Sequence, residues 1–257
     1  MATRNLARIR SILTAIALAA AVAPLALFTA GCGGNKSTKI IVAPGYKKQF
    51  AINAELAVVI LDKYPQIIYL GDLKKSLEST GDRNTDGEIL AWNFFTGQLK
   101  KDIMQEIDVK DVFKAEVRQN YRVTKDFFRT SDEDITIELP ADGTEFKFDS
   151  TQAALVLFID KIRIGTETDP YFQERAQHGL YLSNARRLVY LATFILWDNR
   201  EHKPICYGRV KTITTIVREE ATVANWEEVS RDFVRAIFEP TGFKKRADKT
   251  TGVELVR

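Results

Sequence analysis

The chain has 257 residues, of which 37 are Lys or Arg and 34 are Asp or Glu, so its formal net charge is +3. A chain that loses its first 31 residues becomes formally neutral, and a neutral chain with interspersed charges lacks the basic surface that nucleic acid attracts. The charged fraction of 28% and the aromatic fraction of 10% are those of an ordinary globular domain. The whole basic excess comes from Arg4, Arg8 and Arg10.

The start of the chain has the pattern of an export signal. The three arginines precede the uncharged, apolar residues 12 to 28, and small residues then lead to Ala30-Gly31-Cys32. This ending resembles the lipobox of bacterial lipoproteins, in which a diacylglyceryl group is attached to the cysteine sulfur before the signal peptide is cut. The resemblance implies cleavage between Gly31 and Cys32 and a covalent lipid on Cys32, whose acyl chains hold the protein at a membrane.

Two alternatives stay open. The uncharged residues 11 to 35 are long enough to cross a bilayer core of about 30 Å, so a retained membrane anchor is the first. Pro24 and the Gly-Cys-Gly-Gly ending argue against it. A plain cleaved signal peptide is the second, because Thr29 stands where the lipobox mostly has leucine.

The predicted organisation is a signal peptide (1–31), a lipid-anchored tether (32–38), a single globular periplasmic domain (39–243) and a polar tail (244–257). In Gram-negative lipoproteins, an aspartate after the lipidated cysteine commonly marks retention in the inner membrane. Glycine follows the cysteine here, so the resemblance implies an outer-membrane protein that faces the periplasm.

Apolar runs in the first part of this domain predict strands at residues 39 to 42, 56 to 61 and 66 to 70, with a turn at Pro44-Gly45. A helix is predicted from about residue 86 to 106, because apolar side chains then recur every three or four positions. Those side chains are Trp92, Phe95, Leu99, Ile103 and Ile107.

The loop before this helix matches the first eight positions of a calcium-binding loop, with glycine at position 6. Position 12, which should supply a bidentate glutamate, is Asn93, so the cage lacks its closing carboxylate. A polar turn with a capping box formed by Thr85 and Glu88 explains the same residues, and we predict that no calcium binds. The candidate calcium ligands are Asp82, Asn84, Asp86 and Glu88.

The second part predicts strands at residues 109 to 117, 135 to 139 and 153 to 164, then a hairpin of residues 188 to 197 and 205 to 217. In the 153–164 strand, alternation places Val156, Phe158, Ile162 and Ile164 on one face and Leu155, Leu157 and Ile159 on the other.

A second amphipathic helix follows, with Trp226, Val229, Phe233 and Ile237 on its apolar face. Asn225 and Glu228 are predicted to start it, and Pro240 and Gly242 to stop it. The element order predicts an α+β fold, with an antiparallel or mixed sheet and two main amphipathic helices packed on one face.

Catalytic and metal-binding signatures are not evident in the sequence. Histidines 178 and 202 lie in polar, turn-like segments, and the free thiol of Cys206 lies in an apolar strand pattern that predicts a buried, inert group. Strand aromatics predict packing rather than a binding platform, whereas residues 171 to 183 are predicted to be a loop or short helix that carries contacts.

The lipobox, the helix–strands–hairpin–helix order and the Asp198 turn followed by Ile205-Cys206-Tyr207-Gly208 resemble a group of periplasmic lipoproteins. This group includes the curli secretion channel lipoprotein and the auxiliary lipoproteins of ABC-type transport and exopolysaccharide export. They share an anticodon-binding-domain-like core, and their hairpin commonly carries an Asp-x-x-Thr-Gly turn, whose Thr-Gly this chain lacks.

The resemblance implies a non-catalytic, membrane-anchored accessory or assembly component of a cell-envelope transport or secretion system. Other envelope proteins would be its partners, and a homo-oligomer is a further possibility; nucleic acid is not expected. A periplasmic glycan- or lipid-binding module and an enzyme without a recognisable motif are the alternatives.

The incomplete calcium loop gives a direct prediction. Because ligand binding to the folded state raises the melting temperature, a protein that binds no calcium should melt at the same temperature with millimolar calcium as with a chelator. Differential scanning calorimetry checks this, with magnesium as the control cation. A midpoint raised by calcium alone would contradict it.

Overall fold

The protein is described by a computed structural model, and the described residues are 38–46, 54–62, 66–68, 87–131, 133–148, 152–168, 186–216 and 221–243. Within them, the side chains of residues 67–68, 87–92 and 168 are not described. The elements in chain order are β1 (Lys39–Val42), β2 (Glu55–Ile60), β3 (Gln66–Ile68), α1 (Gly87–Glu106), β4 (Asp111–Ala115), β5 (Val123–Arg129), β6 (Asp134–Pro140), β7 (Leu155–Thr168), β8 (Arg186–Asp198), β9 (Lys203–Ile216) and α2 (Val223–Phe238).

The main sheet is mixed, with the order β1-β9-β8-β7-β2-β4. The pairs β1–β9, β8–β9 and β7–β8 are antiparallel, which confirms the predicted hairpin, whereas β2 is parallel to both β4 and β7. Strand β7 is long enough to pair with β2 along its first part and with β3 along its second. Both helices pack on one face of this sheet, which confirms the predicted α+β fold class.

Aromatic side chains hold the helices to the sheet. The ring of Phe95 in α1 stacks on that of Tyr190 in β8 with 5.1 Å between centroids, and meets the ring of Trp226 in α2 edge-on at 5.7 Å. Phe233 of α2 packs against the same tyrosine at 4.2 Å. One buried tyrosine of the sheet therefore contacts both helices, and each such aromatic contact adds about 0.5–1.5 kcal/mol beyond the burial of area.

A separate two-stranded ribbon, formed by β5 and β6, covers part of the other face of the sheet. Phe146, in the segment after the ribbon, packs its ring 4.9 Å from Phe158 and 6.0 Å from Trp197. The predicted strand at residues 135 to 139 is confirmed. The ribbon and the sheet enclose a second apolar core, separate from the core under the helices. Its residues are Ala57, Val59, Phe128, Ile135, Ile137, Leu139, Phe146, Ala153, Val156, Phe158, Ile195 and Trp197.

The predicted faces of β7 are wrong beyond residue 160. Asp160 pairs with Thr193 but Arg163 pairs with Leu191, so β7 contains one extra residue at this point, and Lys161 has φ 50°. A bulge of this kind reverses the in–out alternation. Ile162 and Ile164 therefore join Leu155, Leu157 and Ile159 under the helices, while Val156 and Phe158 remain under the ribbon.

The start of α2 also differs from the prediction. Thr222 is the N-cap: its hydroxyl accepts a hydrogen bond from the Asn225 backbone N–H (3.4 Å), and its own N–H donates to Asn225 Oδ1 (2.9 Å). The N-cap thus lies three residues before the predicted start at Asn225, because Thr and Asn satisfy the free N–H groups reciprocally. It ends at Phe238, just before Pro240, as predicted.

Strand β1 occupies one edge of the sheet, where it pairs with β9 and places Ile40 opposite Gly208. A Cβ at Gly208 would lie 2.9 Å from Ile40 Cα and 3.0 Å from the backbone carbon of Lys39. Real Cβ atoms essentially never approach backbone so closely, so only glycine lets β1 pair at this position.

A carboxyl group lies buried between the two helices. Asp102 of α1 is 1% exposed; its Oδ1 accepts a hydrogen bond from Gln98 Nε2 (2.8 Å), and its Oδ2 has no hydrogen-bond partner. Burial raises the pKa of Asp102 above its usual 3.8, against the lowering influence of Ser230, Gln98, Arg231 and Lys101.

This raised pKa predicts the pH dependence of folding. The folded chain holds the Asp102 proton more tightly than the unfolded chain, so the stabilisation is complete below pH 3.8 and is lost as the pH rises through the folded pKa. We expect Asp102→Asn, which stays neutral, to be more stable than the wild type at pH 7, because it avoids the cost of burying a charged carboxylate. Urea unfolding from pH 3 to pH 8 measures this.

Asp111→Asn is the control. Asp111 is an exposed carboxylate 3.0 Å from Lys100 Nζ, and hydrogen bonding from Lys100 lowers its pKa. Its stabilisation is therefore present at neutral pH and disappears on acidification, so the trend of this variant with pH has the opposite sign. If the Asp102→Asn and wild-type curves run parallel across the whole range, Asp102 is not the group responsible.

Candidate functional site

Most of the predicted site residues lie outside the described part of the chain. These are Gly31 and Cys32 of the lipidation signal, Asp82, Asn84 and Asp86 of the calcium-like loop, His178 and the segment 171–183. Glu88 lies in the first turn of α1, and its side chain is not described. The lipid anchor and the calcium-like loop therefore remain predictions.

Cys206 lies in β9 as a buried thiol, with its Sγ 3.9 Å from the Ile237 carbonyl oxygen. Burial raises its pKa well above the usual 9, so it is not a thiolate nucleophile at neutral pH. The strand aromatics Tyr190 and Trp197 are core residues, as the sequence predicts, whereas Tyr64, Tyr69, Tyr171, Phe172 and Tyr181 lie outside the described residues.

The turn between β8 and β9 depends on the buried carboxylate of Asp198. Its Oδ1 accepts hydrogen bonds from the backbone N–H groups of Arg200 (3.0 Å) and Glu201 (3.1 Å), and its Oδ2 accepts one from the Tyr46 hydroxyl (2.8 Å). Burial, followed by the Asp198 hydrogen bond, raises the Tyr46 pKa far above 10. This carboxylate thus closes the turn and fixes the short 3₁₀ turn after β1.

Asn199 joins the same turn to the two segments that contain Phe146 and Ala153. Its Nδ2 donates to the carbonyl oxygens of Phe146 (2.8 Å) and Ala153 (2.9 Å), and its Oδ1 accepts from the Phe146 N–H (2.7 Å). The Asp198 carboxylate and the Asn199 amide therefore have a structural role: their hydrogen bonds hold the turn to neighbouring parts of the chain.

His202 is half-buried in this turn and has φ 53°, in the left-handed region that favours glycine. The last turn residue therefore turns the chain back with positive φ.

A cleft lies between the ribbon and the main sheet, beside the β7 bulge. The first part of it has a volume of about 440 Å³, and an adjoining part of about 430 Å³ shares Thr136, Lys161 and Thr193 with it. Lys161 crosses between the two parts and donates to the Thr136 carbonyl oxygen (2.9 Å). The bulge therefore shapes the cleft directly.

Arg209 of β9 is the most unusual residue in the first part of the cleft. It is 3% exposed, and its Nη1 lies 2.5 Å from Glu133 Oε1. This ion pair lacks hydrogen-bond alignment, and neither Nε nor Nη1 of Arg209 makes a hydrogen bond. A buried guanidinium with unused donors is costly, since buried charges are normally paired and hydrogen-bonded.

A second contact between β9 and the ribbon comes from Tyr207, whose hydroxyl donates to Asp126 Oδ2 (2.6 Å). Burial and then this hydrogen bond raise the pKa of Tyr207 to about 12. The ribbon is thus held to β9 at two polar points, Tyr207–Asp126 and Arg209–Glu133.

Chemically, the cleft offers fixed cations and hydroxyl groups for binding. Across the described ranges, no three His, Cys, Asp or Glu side chains are grouped as metal ligands. No helix there is both long and apolar enough to span a membrane. No sequence signal singles out Arg209, because β9 also carries Lys203, Lys211 and three threonines.

No protein-family model and no curated protein sequence matches the chain. Among solved structures, the PelC dodecamer from Paraburkholderia phytofirmans is 11% identical, with a TM-score of 0.34, and the alignment covers 79% of this chain and 97% of that one. A single-substitution variant of PelC has 12% identity, a TM-score of 0.32 and coverage of 79% and 94%. A neuraminyllactose-binding hemagglutinin homolog from Helicobacter pylori has 12% identity, a TM-score of 0.21 and coverage of 76% and 84%. Likenesses of this size define neither a family nor a function.

The strained turn residue gives a stability prediction. We expect His202→Gly to raise the free energy of unfolding by about 0.5–1 kcal/mol. Glycine adopts positive φ without the strain that a residue with a Cβ has there, and this gain exceeds the larger backbone entropy that glycine loses on folding. Urea unfolding at pH 7 measures the change. His202→Ala is the control, since alanine also pays the left-handed cost. An equal gain from Ala and Gly would show that the imidazole, not the backbone, is responsible.

Proposed function

We propose that this protein is a non-catalytic lipoprotein, anchored through Cys32 to the periplasmic side of the outer membrane, where it acts as an assembly or accessory component of an envelope transport or secretion system. The observation that carries the proposal is the lipidation signal followed, only seven residues after Cys32, by the edge strand β1. A fully extended chain of seven residues spans about 25 Å at most. A lipid on Cys32 therefore keeps the folded domain close to the bilayer surface.

The described surface offers contact sites for other proteins. Phe127 of β5 is 71% exposed, and its neighbours along the outer face of the ribbon form the ion pairs Lys125–Glu138 (3.2 Å) and Arg129–Asp134 (3.0 Å). An exposed aromatic ring flanked by charged pairs has the composition of a protein-interface centre with a polar rim.

A second contact site is the edge of the sheet at β4. In the described part of the chain this strand pairs only with β2, so one side of its backbone is open to a further strand. Open edges are where partner chains add strands, although Lys114 and the shortness of β4 restrict that pairing. A second copy of the chain or another envelope protein would satisfy this edge.

In-cell photocrosslinking tests the proposal. We expect benzoylphenylalanine at position 127, which preserves the aromatic group, to give one defined crosslinked product in the membrane fraction because the ring is covered by a partner. The same residue at Glu201, exposed in the β8–β9 turn, is the matched control and should give none. Mass spectrometry identifies the product as another envelope protein or a second copy of this chain.

The anchor is removed by replacing residues 1–32 with an export signal that is cut without lipidation, because cleavage of the native signal follows lipid attachment to Cys32. The protein made in this way should move from the membrane to the soluble periplasmic fraction and lose the position-127 product. Products that are identical at positions 127 and 201, or an unlipidated protein that remains in the membrane and crosslinks as before, would contradict the proposal.

A further inference from the structure

The cleft beside Arg209 has the features of a ligand site rather than of an incidental gap. Its volume of about 440 Å³ falls within the range of small-molecule sites, and a nearly fully buried guanidinium with unused donors lines it. Burying an arginine without completing its hydrogen bonds destabilises the fold, so a group that completes them would bind favourably. The planar guanidinium fork matches a carboxylate, to which it can donate two parallel hydrogen bonds.

Glu133 reaches Arg209 from an exposed side chain. Its backbone is fixed, because its carbonyl oxygen accepts from the Thr130 N–H and hydroxyl (3.0 Å each) and its N–H donates to the Thr130 hydroxyl (3.2 Å). Its side chain is 53% exposed and approaches Arg209 without hydrogen-bond alignment. The Glu133 carboxylate can therefore turn into water without moving the chain, and its present place marks where another carboxylate would bind.

The remaining charges favour an anion despite two acidic groups. Asp62 accepts the Ile162 backbone N–H through Oδ2 (2.7 Å), and Asp134 pairs with Arg129. Of the cations, Lys161 donates to a neutral carbonyl oxygen, and Arg163 donates its Nε to the neutral Gln66 Oε1 (3.1 Å). Apart from Glu133, the lining therefore carries two carboxylates, of which Asp134 is paired with Arg129 outside the lining, against the three cations Lys161, Arg163 and Arg209.

The other lining groups indicate the body of the ligand. Thr136, Thr193 and Gln66 offer hydroxyl and amide groups, and Ile135 and Leu191 provide apolar surface. Hydrogen-bonding groups next to an apolar face match a sugar ring, which presents hydroxyls at its edge and C–H groups on its faces. We propose that this cleft binds a carboxylate-bearing sugar residue, with its carboxylate replacing Glu133 on the Arg209 guanidinium.

This site goes beyond the proposed assembly role and is independent of it. Binding to the purified protein needs neither a membrane nor a protein partner, so a negative result here leaves the crosslinking prediction intact, and the reverse also holds.

Titration calorimetry on the full mature lipoprotein in detergent tests the site, with galacturonate as ligand and galactose as the neutral control. We expect galacturonate to bind at least tenfold more tightly than galactose. Glu133→Gln, which removes the competing carboxylate, should tighten galacturonate binding about fivefold, the equivalent of one partly exposed ion pair. Glu145→Gln is the matched control, because Glu145 is a half-exposed acid paired with Lys147 and outside the cleft lining.

Arg209→Lys should weaken galacturonate binding about tenfold, since an ammonium lacks the planar fork. The Glu133→Gln comparison keeps the proposal falsifiable if the buried Arg209 variant does not fold. Equal affinities for galacturonate and galactose, no galacturonate binding at tens of millimolar, or the same affinity in Glu133→Gln and Glu145→Gln would each overturn it.

Discussion

One extra residue in strand β7 determines how the two layers of this protein meet the sheet. Before the bulge at Lys161, Val156 and Phe158 face the ribbon, while alternate residues face the helices. After it, Ile162 and Ile164 face the helices as well, so the helix side of the sheet stays apolar along the length of β7. On the ribbon side, the positions taken up after the bulge are Lys161 and Arg163, which are exposed and line the cleft. The bulge therefore extends the apolar core under the helices and ends the apolar core under the ribbon, and it leaves a polar cleft between ribbon and sheet.

Much of the fold follows from periodicity in the sequence, and the differences have physical causes. The α2 stripe of Trp226, Val229, Phe233 and Ile237 is fully buried as its spacing predicts. Strand β5 could not be predicted from hydrophobic periodicity, because only Phe128 of its seven residues is buried and the sequence shows no alternation. The β7 bulge is invisible for another reason: a single inserted residue keeps strand composition unchanged and reverses only the faces. The Arg209–Glu133 pair joins positions 76 residues apart, and no sequence spacing predicts such a contact.

Strand β1 is the element that links the predicted lipid tether to the folded domain. This edge strand follows the tether, and its pairing with β9 requires the absence of a side chain at Gly208, which explains the glycine that closes the Ile205-Cys206-Tyr207-Gly208 motif. Tyr46, just after β1, donates to the Asp198 carboxylate that closes the β8–β9 turn. Backbone pairing and one buried hydrogen bond thus join β1 and the segment after it to β9 and the β8–β9 turn. The ribbon and the cleft lie on the face away from the helices.

The proposed anchoring requires that the mature protein begin with a lipid-modified Cys32. Mass spectrometry of the tryptic amino-terminal peptide, residues 32 to 36 after cleavage at Lys36, measures this directly. We expect a peptide that starts at Cys32 and carries the added mass of a diacylglyceryl group on sulfur, with or without a third acyl chain on nitrogen. An unmodified amino terminus at any position, or a peptide that extends through Gly31 into the signal segment, would contradict it.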